Sequence, residues 1–310
     1  MPPSVASWDA SSSSWECSAA RVGVFSHGAG GLPGPSSAAA VVTEARIAEL
    51  HRLGVRGFDL DLFFPLDSAG AGSRSLYVGH PRRLRQAWAR SPALATSREW
   101  RRNKSVFGLT SAEVLRASGG ALLSADALLA LASRLPGLTL ALDLKGGGQQ
   151  PRYGAHLLYL ARQVAYRNLT ERVWLWAGTA SAAKAVHRAL SRRGDAPPRL
   201  RLGRTILDVG APRLAHGSEP DCAAALSAAE VRSFAFLGPS LRCTNAALVS
   251  ALGRLHVGRQ LLVWVVDSPA ELFEVLARGA SAVVSNEPLL LLAALRNASD
   301  DGRVRRQCGA

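Results

Sequence analysis

The stretch Gly57-Phe58-Asp59-Leu60-Asp61-Leu62 decides how this chain is read. In an extended strand alternate side chains share a face. Asp59 and Asp61 therefore project one way, and Phe58, Leu60 and Leu62 point into an apolar layer on the other side. Two carboxylates on one face of an otherwise apolar strand repel each other and are costly to bury. A divalent cation relieves both problems, since hard cations take oxygen ligands. Further out, Leu76-Tyr77-Val78-Gly79-His80 reads as a second short strand that ends on a histidine. Upstream, the apolar strand Val22-Gly23-Val24-Phe25 ends in Ser26-His27-Gly28. Downstream, Asp143-Leu144-Lys145 closes another strand and repeats the alternation, adding a third carboxylate and an ammonium.

Around these stretches short β-like runs alternate with Ala/Leu/Arg-rich helical ones. Strands are predicted over 21–27, 57–63, 139–145, 172–178, 199–206, 233–239, 260–267 and 281–287. Helices are predicted over 37–53, 124–135, 155–166, 180–192, 245–255 and 269–278, with start signals at Ser124, Ser181, Thr244 and Ser268-Pro269. Eight strands with intervening helices predict an α/β fold, a parallel sheet closed into a (β/α)8 TIM barrel. The barrel is expected over 21–298, with a Ser-rich flexible tail at 1–20, a C-terminal tail at 299–310 and an insertion after the second strand. An open doubly wound sheet is the alternative, disfavoured because no GxGxxG opens a helix. Chemistry in such a barrel sits at the C-terminal strand ends. His27, Asp59, Asp61, Asp143, Lys145 and Trp264 all fall there.

Composition narrows the function classes. The chain has 310 residues, enough for a large core, and a formal charge of +14. Only Lys104, Lys145 and Lys184 of the 37 basic residues are lysines; the arginines are scattered and not massed beside aromatics. That pattern reads as a solvated basic surface and argues against nucleic acid as a partner. No apolar run approaches the ~20 residues of a membrane span. No signal-peptide pattern is legible at the N-terminus. Asn103, Asn168 and Asn297 each open a glycosylation sequon, a hint of a secretory compartment. The cysteines, Cys17, Cys222, Cys243 and Cys308, show no zinc spacing.

A single histidine at a strand end is ordinarily a hydrogen-bonded structural group. Two that bracket an acid pair suit phosphodiester chemistry: one takes a proton from the nucleophile, the other gives one to the leaving oxygen. A metal and Lys145 would hold the phosphoryl oxygens as charge grows there. The order His27, Asp59-Leu60-Asp61, Val78-Gly79-His80, Asp143-Leu144-Lys145 resembles the glycerophosphodiester phosphodiesterase family, in the phospholipase C-like phosphodiesterase superfamily of barrels. Val263-Trp264-Val265-Val266-Asp267, Ala277-Arg278-Gly279-Ala280 and Val284-Ser285-Asn286-Glu287-Pro288 extend the likeness, which spans residues 21–295. The resemblance implies a metal-dependent hydrolase of glycerophosphodiesters or phospholipid head groups. It implies His27 and His80 as the acid/base pair, Mg²⁺ or Ca²⁺ on Asp59, Asp61 and Asp143, Lys145 on phosphate, and Trp264 lining the pocket. The expected partner is a small-molecule or lipid phosphodiester, with peripheral membrane contact.

Four positions depart from the family pattern: Gly28 stands where Arg is usual, Asp59 and Asp143 where Glu is usual, and Pro81 where an acid is usual. They are what a catalytically inactive barrel serving as a ligand- or protein-binding module would show, which is the rival function. His51, His156, His187 and His256 lie in or beside helices and read as structural; His216 falls in a Pro/Gly-rich loop. The barrel layout puts Cys17 and Cys308 at its N-terminal face and Cys222 and Cys243 at its C-terminal face. Four cysteines allow three connectivities, of which 17–308 with 222–243 is the one favoured, and with the sequons it leans towards a secretory lumen or the exterior.

Overall fold

The computed structural model describes residues 22–28, 41–67, 75–89, 91–146, 153–177, 179–191, 200–206, 221–223, 234–254 and 260–300. Nine strands form one sheet: β1 (Gly23–His27), β2 (Gly57–Phe63), β3 (Tyr77–Val78), β4 (Thr139–Leu144), β5 (Val173–Trp176), β6 (Arg201–Ile206), β7 (Phe236–Pro239), β8 (Gln260–Trp264) and β9 (Ala282–Ser285). All but β3 run parallel. The eight parallel strands close into a barrel because β1 pairs with both β2 and β9. The short β3 lies antiparallel along the end of β2, so the strand expected to carry His80 is outside the barrel.

Ten described helices accompany the strands: α1 (Glu44–Arg52), α2 (Pro81–Ala87), α3 (Arg98–Asn103), α4 (Ser111–Ala117), α5 (Ala125–Arg134), α6 (Tyr153–Tyr166), α7 (Ala180–Ser191), α8 (Ala246–Arg254), α9 (Pro269–Ala277) and α10 (Pro288–Asp300). Period-two alternation along the strands splits the core into two shells. Outward-facing Phe58, Leu60, Leu62, Leu140, Leu142 and Val283 pack with helix residues such as Leu50, Leu128, Leu160 and Leu291. Inward-facing Phe25, Ala141, Trp174, Phe236, Leu262 and Val284 form a separate cluster inside the barrel. Its rings touch in series: Phe25 to Trp174 at 5.2 Å, Trp174 to Phe236 at 5.1 Å, and Phe236 edge-on to Trp176 at 4.7 Å between centroids. The wall yields where those rings press on it. A Cβ on Gly203 would stand 2.1 Å from the Phe236 ring, and one on Gly57 would stand 2.7 Å from Phe25.

Helix starts follow local chemistry. The Ser124 hydroxyl accepts from the backbone N–H of Ala127 at 3.1 Å, and Ser268 with Glu271 forms a reciprocal capping box around Pro269. Two expected caps move by one or two residues. Thr179, not Ser181, caps α7, accepting from Ala182 at 3.2 Å. Asn245, not Thr244, caps α8, accepting from Leu248 at 3.0 Å; Thr244 instead donates to the Ser240 carbonyl. The helix expected over 37–53 begins only at Glu44, because Thr43 is extended and takes the Arg46 N–H; 37–40 lie outside the described residues. Predicted strands also overrun. β8 stops at Trp264 and β9 at Ser285; beyond them Val266 still donates to the Val284 carbonyl, while the N–H groups of Asp267, Asn286 and Glu287 go to side chains.

The insertion between β2 and α5 carries β3, α2, α3 and α4 around a core of its own, built on Phe63, Leu84, Trp88, Trp100 and Leu109. Cys222 and Cys243 form the expected disulfide, Cα to Cα 5.5 Å, tying the segment after β6 to the one after β7. Cys17 and Cys308 lie outside the described residues, as do His216 and His256. His51 is buried, with Nε2 3.1 Å from the Pro136 carbonyl, and His156 is buried and stacked on Phe64 at 4.3 Å. His187 sits on α7, half-buried. Among the described residues no helix is long and apolar enough to cross a membrane.

Candidate functional site

On five of the strands the inward-facing row continues, two residues on, from a packing residue to one that carries a polar group. His27 follows Phe25, Asp59 follows Gly57, Asp143 follows Ala141, Trp176 follows Trp174, and Trp264 follows Leu262. The apolar plug is thus the floor on which a polar layer stands, at the C-terminal mouth. Strand register brings the members together: His27 is the Cα partner of Asp59, and Asp61 of Asp143.

The Lys145 ammonium sits between two acids, 2.8 Å from Asp61 Oδ1 and hydrogen-bonded to Asp143 Oδ2. Burial alone would lower this ammonium, but Asp143 and Asp61 outweigh it and hold it well above the ordinary lysine value. Among the described residues Asp59 has no such partner. Its Oδ1 accepts the Trp176 indole N–H at 3.1 Å. Burial, with Asp61 and then Asp143 nearby, pushes its carboxyl up to about 7. Asp143 is raised as well, by burial first, with Asp61 adding and Lys145 opposing.

The two histidines are held in opposite tautomers. Asn286 donates through Nδ2 to Asp267 Oδ2 at 2.8 Å, which turns its Oδ1 toward His27. His27 Nδ1 lies 3.0 Å from that oxygen and must donate to it, leaving Nε2 as the ring's acceptor. Asp267 also accepts the Asn286 backbone N–H at 2.7 Å and the Ser285 hydroxyl at 3.2 Å. His80 is the N-cap of α2: its Nδ1 accepts the Arg82 N–H at 3.1 Å, so the neutral ring carries its hydrogen on Nε2. Burial, then Lys145, Arg83 and His27, lower the His80 imidazole below its ordinary value, against the opposing pull of Asp61.

The structure brings His27, His80, Asp59, Asp61, Asp143 and Lys145 into one mutually interacting group. Trp264, half-buried at the end of β8, packs against the interior cluster and gives its indole N–H to the Gly238 carbonyl at 2.7 Å. Reading by motif passed over three groups as parts of the site: Trp176, Asn286 and Asp267. Trp176 was hidden in an all-apolar strand. The other two stand in stretches quoted only for likeness, and their pairing is visible only once β8 and β9 lie side by side. Pro81 has a local reason: proline suits the first position of a helix, and it starts α2 directly after His80.

In donor chemistry the three aspartates fit a hard divalent cation. Burial first, and then the neighbouring Asp61 and Asp143, raise the Asp59 carboxyl. Among the described residues no three ligand side chains are gathered closely enough to hold an ion, with Lys145 standing between Asp61 and Asp143.

Solved structures share this architecture. A glycerophosphodiester phosphodiesterase from Parabacteroides distasonis superposes with a TM-score of 0.61 over 90% of this chain and 99% of its own, at 15% identity. This is the fold of the glycerophosphodiester phosphodiesterases. The Oleispira antarctica phosphodiesterase, solved with its product sn-glycerol-3-phosphate, gives 0.55 at 14% identity over 88% of this chain and 96% of its own. The Thermotoga maritima glycerophosphodiester phosphodiesterase gives 0.52 at 13% over 88% and 97%. No family model matches the sequence, and no curated protein does.

Proposed function

We propose that this protein is a phosphodiester hydrolase acting on glycerophosphodiesters or phospholipid head groups. The observation that carries the reading is the polar layer itself. Two imidazoles in complementary tautomers, three carboxylates and a lysine converge at the catalytic end of a barrel shared with glycerophosphodiester phosphodiesterases. Fold alone licenses many chemistries, so the claim rests on this constellation.

His27 Nε2 is free to take the proton of an attacking water or substrate hydroxyl. Asn286 and Asp267 hold the ring in that tautomer and steady the imidazolium that forms. His80, kept neutral near pH 7, offers its Nε2–H to the phosphoryl or leaving oxygen. Lys145 lies where phosphoryl charge would develop. Asp59, Asp61 and Asp143 would hold Mg²⁺ or Ca²⁺, which when bound supplies Lewis-acid stabilisation of the phosphoryl oxygens. A glycerol phosphate is the product this chemistry would release. The Cys222–Cys243 disulfide and the exposed Asn168 and Asn297 support work in a secretory lumen or outside the cell.

The test is turnover of a panel of glycerophosphodiesters and lysophospholipids with Mg²⁺, Ca²⁺ or EDTA, beside His27→Ala. Metal-dependent hydrolysis that the substitution abolishes is expected. A folded protein that hydrolyses no member of the panel with either ion overturns the reading.

A further inference from the structure

We infer that Arg83, on α2, is a substrate-phosphate ligand of this site; the inference rests on the hydrolase reading above. A phosphodiester carries a negative charge into a mouth that already holds three carboxylates. Its one lysine, Lys145, is engaged by Asp61 and Asp143. Arg83 offers a second side-chain cation at the mouth, with no described carboxylate engaging it. The chain turns sharply after His27, with Gly28 in the left-handed region at φ 61° and its N–H bonded to the Asp59 carbonyl at 2.8 Å. An Arg83 guanidinium nitrogen lies 3.7 Å from where a Cβ of residue 28 would stand, directly beside the residue that carries the acceptor imidazole.

The placement follows from α2. His80 is its N-cap and Pro81 its first residue, so Arg83 is three residues on from His80 and on the same side of the first turn. The guanidinium thus stands beside the turn that follows His27, and its charge is felt at the His80 ring. Leu84, the next residue, is fully buried against Gly79 and anchors the helix, while Arg83 is exposed. Among the described residues no carboxylate forms an ion pair with Arg83. Elsewhere, Arg134, Arg167, Arg201 and Arg278 each have one. A planar guanidinium suits two oxygens of one phosphate. Gly28 leaves room above the turn for that contact.

The experiment compares wild type, Arg83→Gln, Arg83→Lys and a charge-matched control, Arg85→Gln, exposed on the same helix. Two readouts are used: steady-state hydrolysis with inhibition by inorganic phosphate, and the rise in melting temperature produced by inorganic phosphate, which needs no turnover. For Arg83→Gln a loss in kcat/KM of about tenfold to a hundredfold is expected, carried mostly by KM, since one charged phosphate contact is removed. Phosphate inhibition and the phosphate-induced shift should weaken in parallel, Arg83→Lys should recover part of both, and Arg85→Gln should match wild type. Hydrolysis and phosphate binding unchanged in Arg83→Gln overturn the role of Arg83 and leave the hydrolase reading standing. A wild type that hydrolyses nothing overturns the hydrolase reading; the melting shift then still decides whether Arg83 binds phosphate. No shift in the wild type, or an equal shift in Arg83→Gln, overturns the assignment.

Discussion

His80 shows how much a single hydrogen bond can decide. Because its Nδ1 takes the Arg82 N–H, its neutral form is a donor through Nε2, and burial keeps it neutral. An amide that presents an N–H at the same place should stand in for it. His80→Gln is expected to keep at least tenfold more activity than His80→Ala, whereas His27→Gln, lacking a proton acceptor, should fall by about 10²–10⁴ like His27→Ala. Equal loss in His80→Gln and His80→Ala would show that His80 must transfer a proton. Asp59 carries the opposite strain. Its folded-state carboxyl sits near 7 against an ordinary 3.8, so between those values the folded protein binds more protons than the unfolded one. Stability must therefore fall as pH rises through that window. In chelator, melting temperature should drop by several degrees between pH 5 and 8, and Asp59→Asn should flatten the drop while abolishing hydrolysis. A wild-type melting curve that does not change with pH would refute a carboxyl raised by burial at Asp59.

At the scale of elements, the insertion is what connects the histidine pair. β1 brings His27 to the mouth, but His80 arrives from outside the barrel, on the turn between β3 and α2. That turn is set by packing: a Cβ on Gly79 would lie 2.7 Å from Leu84 Cδ1, and Leu84 sits in the insertion's own core with Trp100 and Phe63. Gly79→Ala should push α2 away from β2, carrying both His80 and Arg83 with it. A loss of ~10²-fold in kcat/KM is expected from such misplacement, with the barrel's melting little changed. Crystallography or amide exchange of this variant would locate the change in α2; full activity would show that α2 tolerates the shift. The capping box of Thr110 and Glu113 belongs to the same unit. Burial would raise the Glu113 carboxyl, but bonds from the Thr110 N–H and from the Ser97 and Thr110 hydroxyls outweigh it and lower it. Its contribution is present above the ordinary glutamate value and is lost as pH falls through the lowered one.

On the scale of the whole molecule, the barrel is closed by hydrogen bonds between β1 and β9, and the disulfide acts at the other side. Cys222 and Cys243, both buried, are separated by 21 residues and staple the connections leaving β6 and β7. Removing that link with Cys222→Ser and Cys243→Ser together should destabilise the protein by about 2–4 kcal/mol, measured by denaturant titration with and without reductant. Reductant should lower the wild type to the same level and leave the double variant unmoved. An unchanged midpoint in the double variant would mean that the link contributes nothing. The inner aromatic cluster of Phe25, Trp174, Phe236 and Trp176 fills the barrel below the polar layer.

Much of this was legible in the chain order. Period-two alternation in Gly57–Phe63 and Thr139–Leu144 specifies which side chains face inward, whatever the neighbours, and eight such runs between helical stretches specify a barrel. That is local stereochemistry, and it put His27, Asp59, Asp61, Asp143 and Lys145 at one end. It also favoured pairing of Cys222 with Cys243 among the three possible connectivities, and the structure forms that bond. What no run of sequence states is which atoms meet. Trp176 reaching Asp59 joins residues 117 positions apart, and His27 meets Asn286 across 259. Lys145 pairs with Asp61 and Asp143, Trp264 gives its indole N–H to the Gly238 carbonyl, and Arg83 comes to lie beside Gly28. Those choices depend on closure of the barrel and on the insertion's core, and only the tertiary structure makes them.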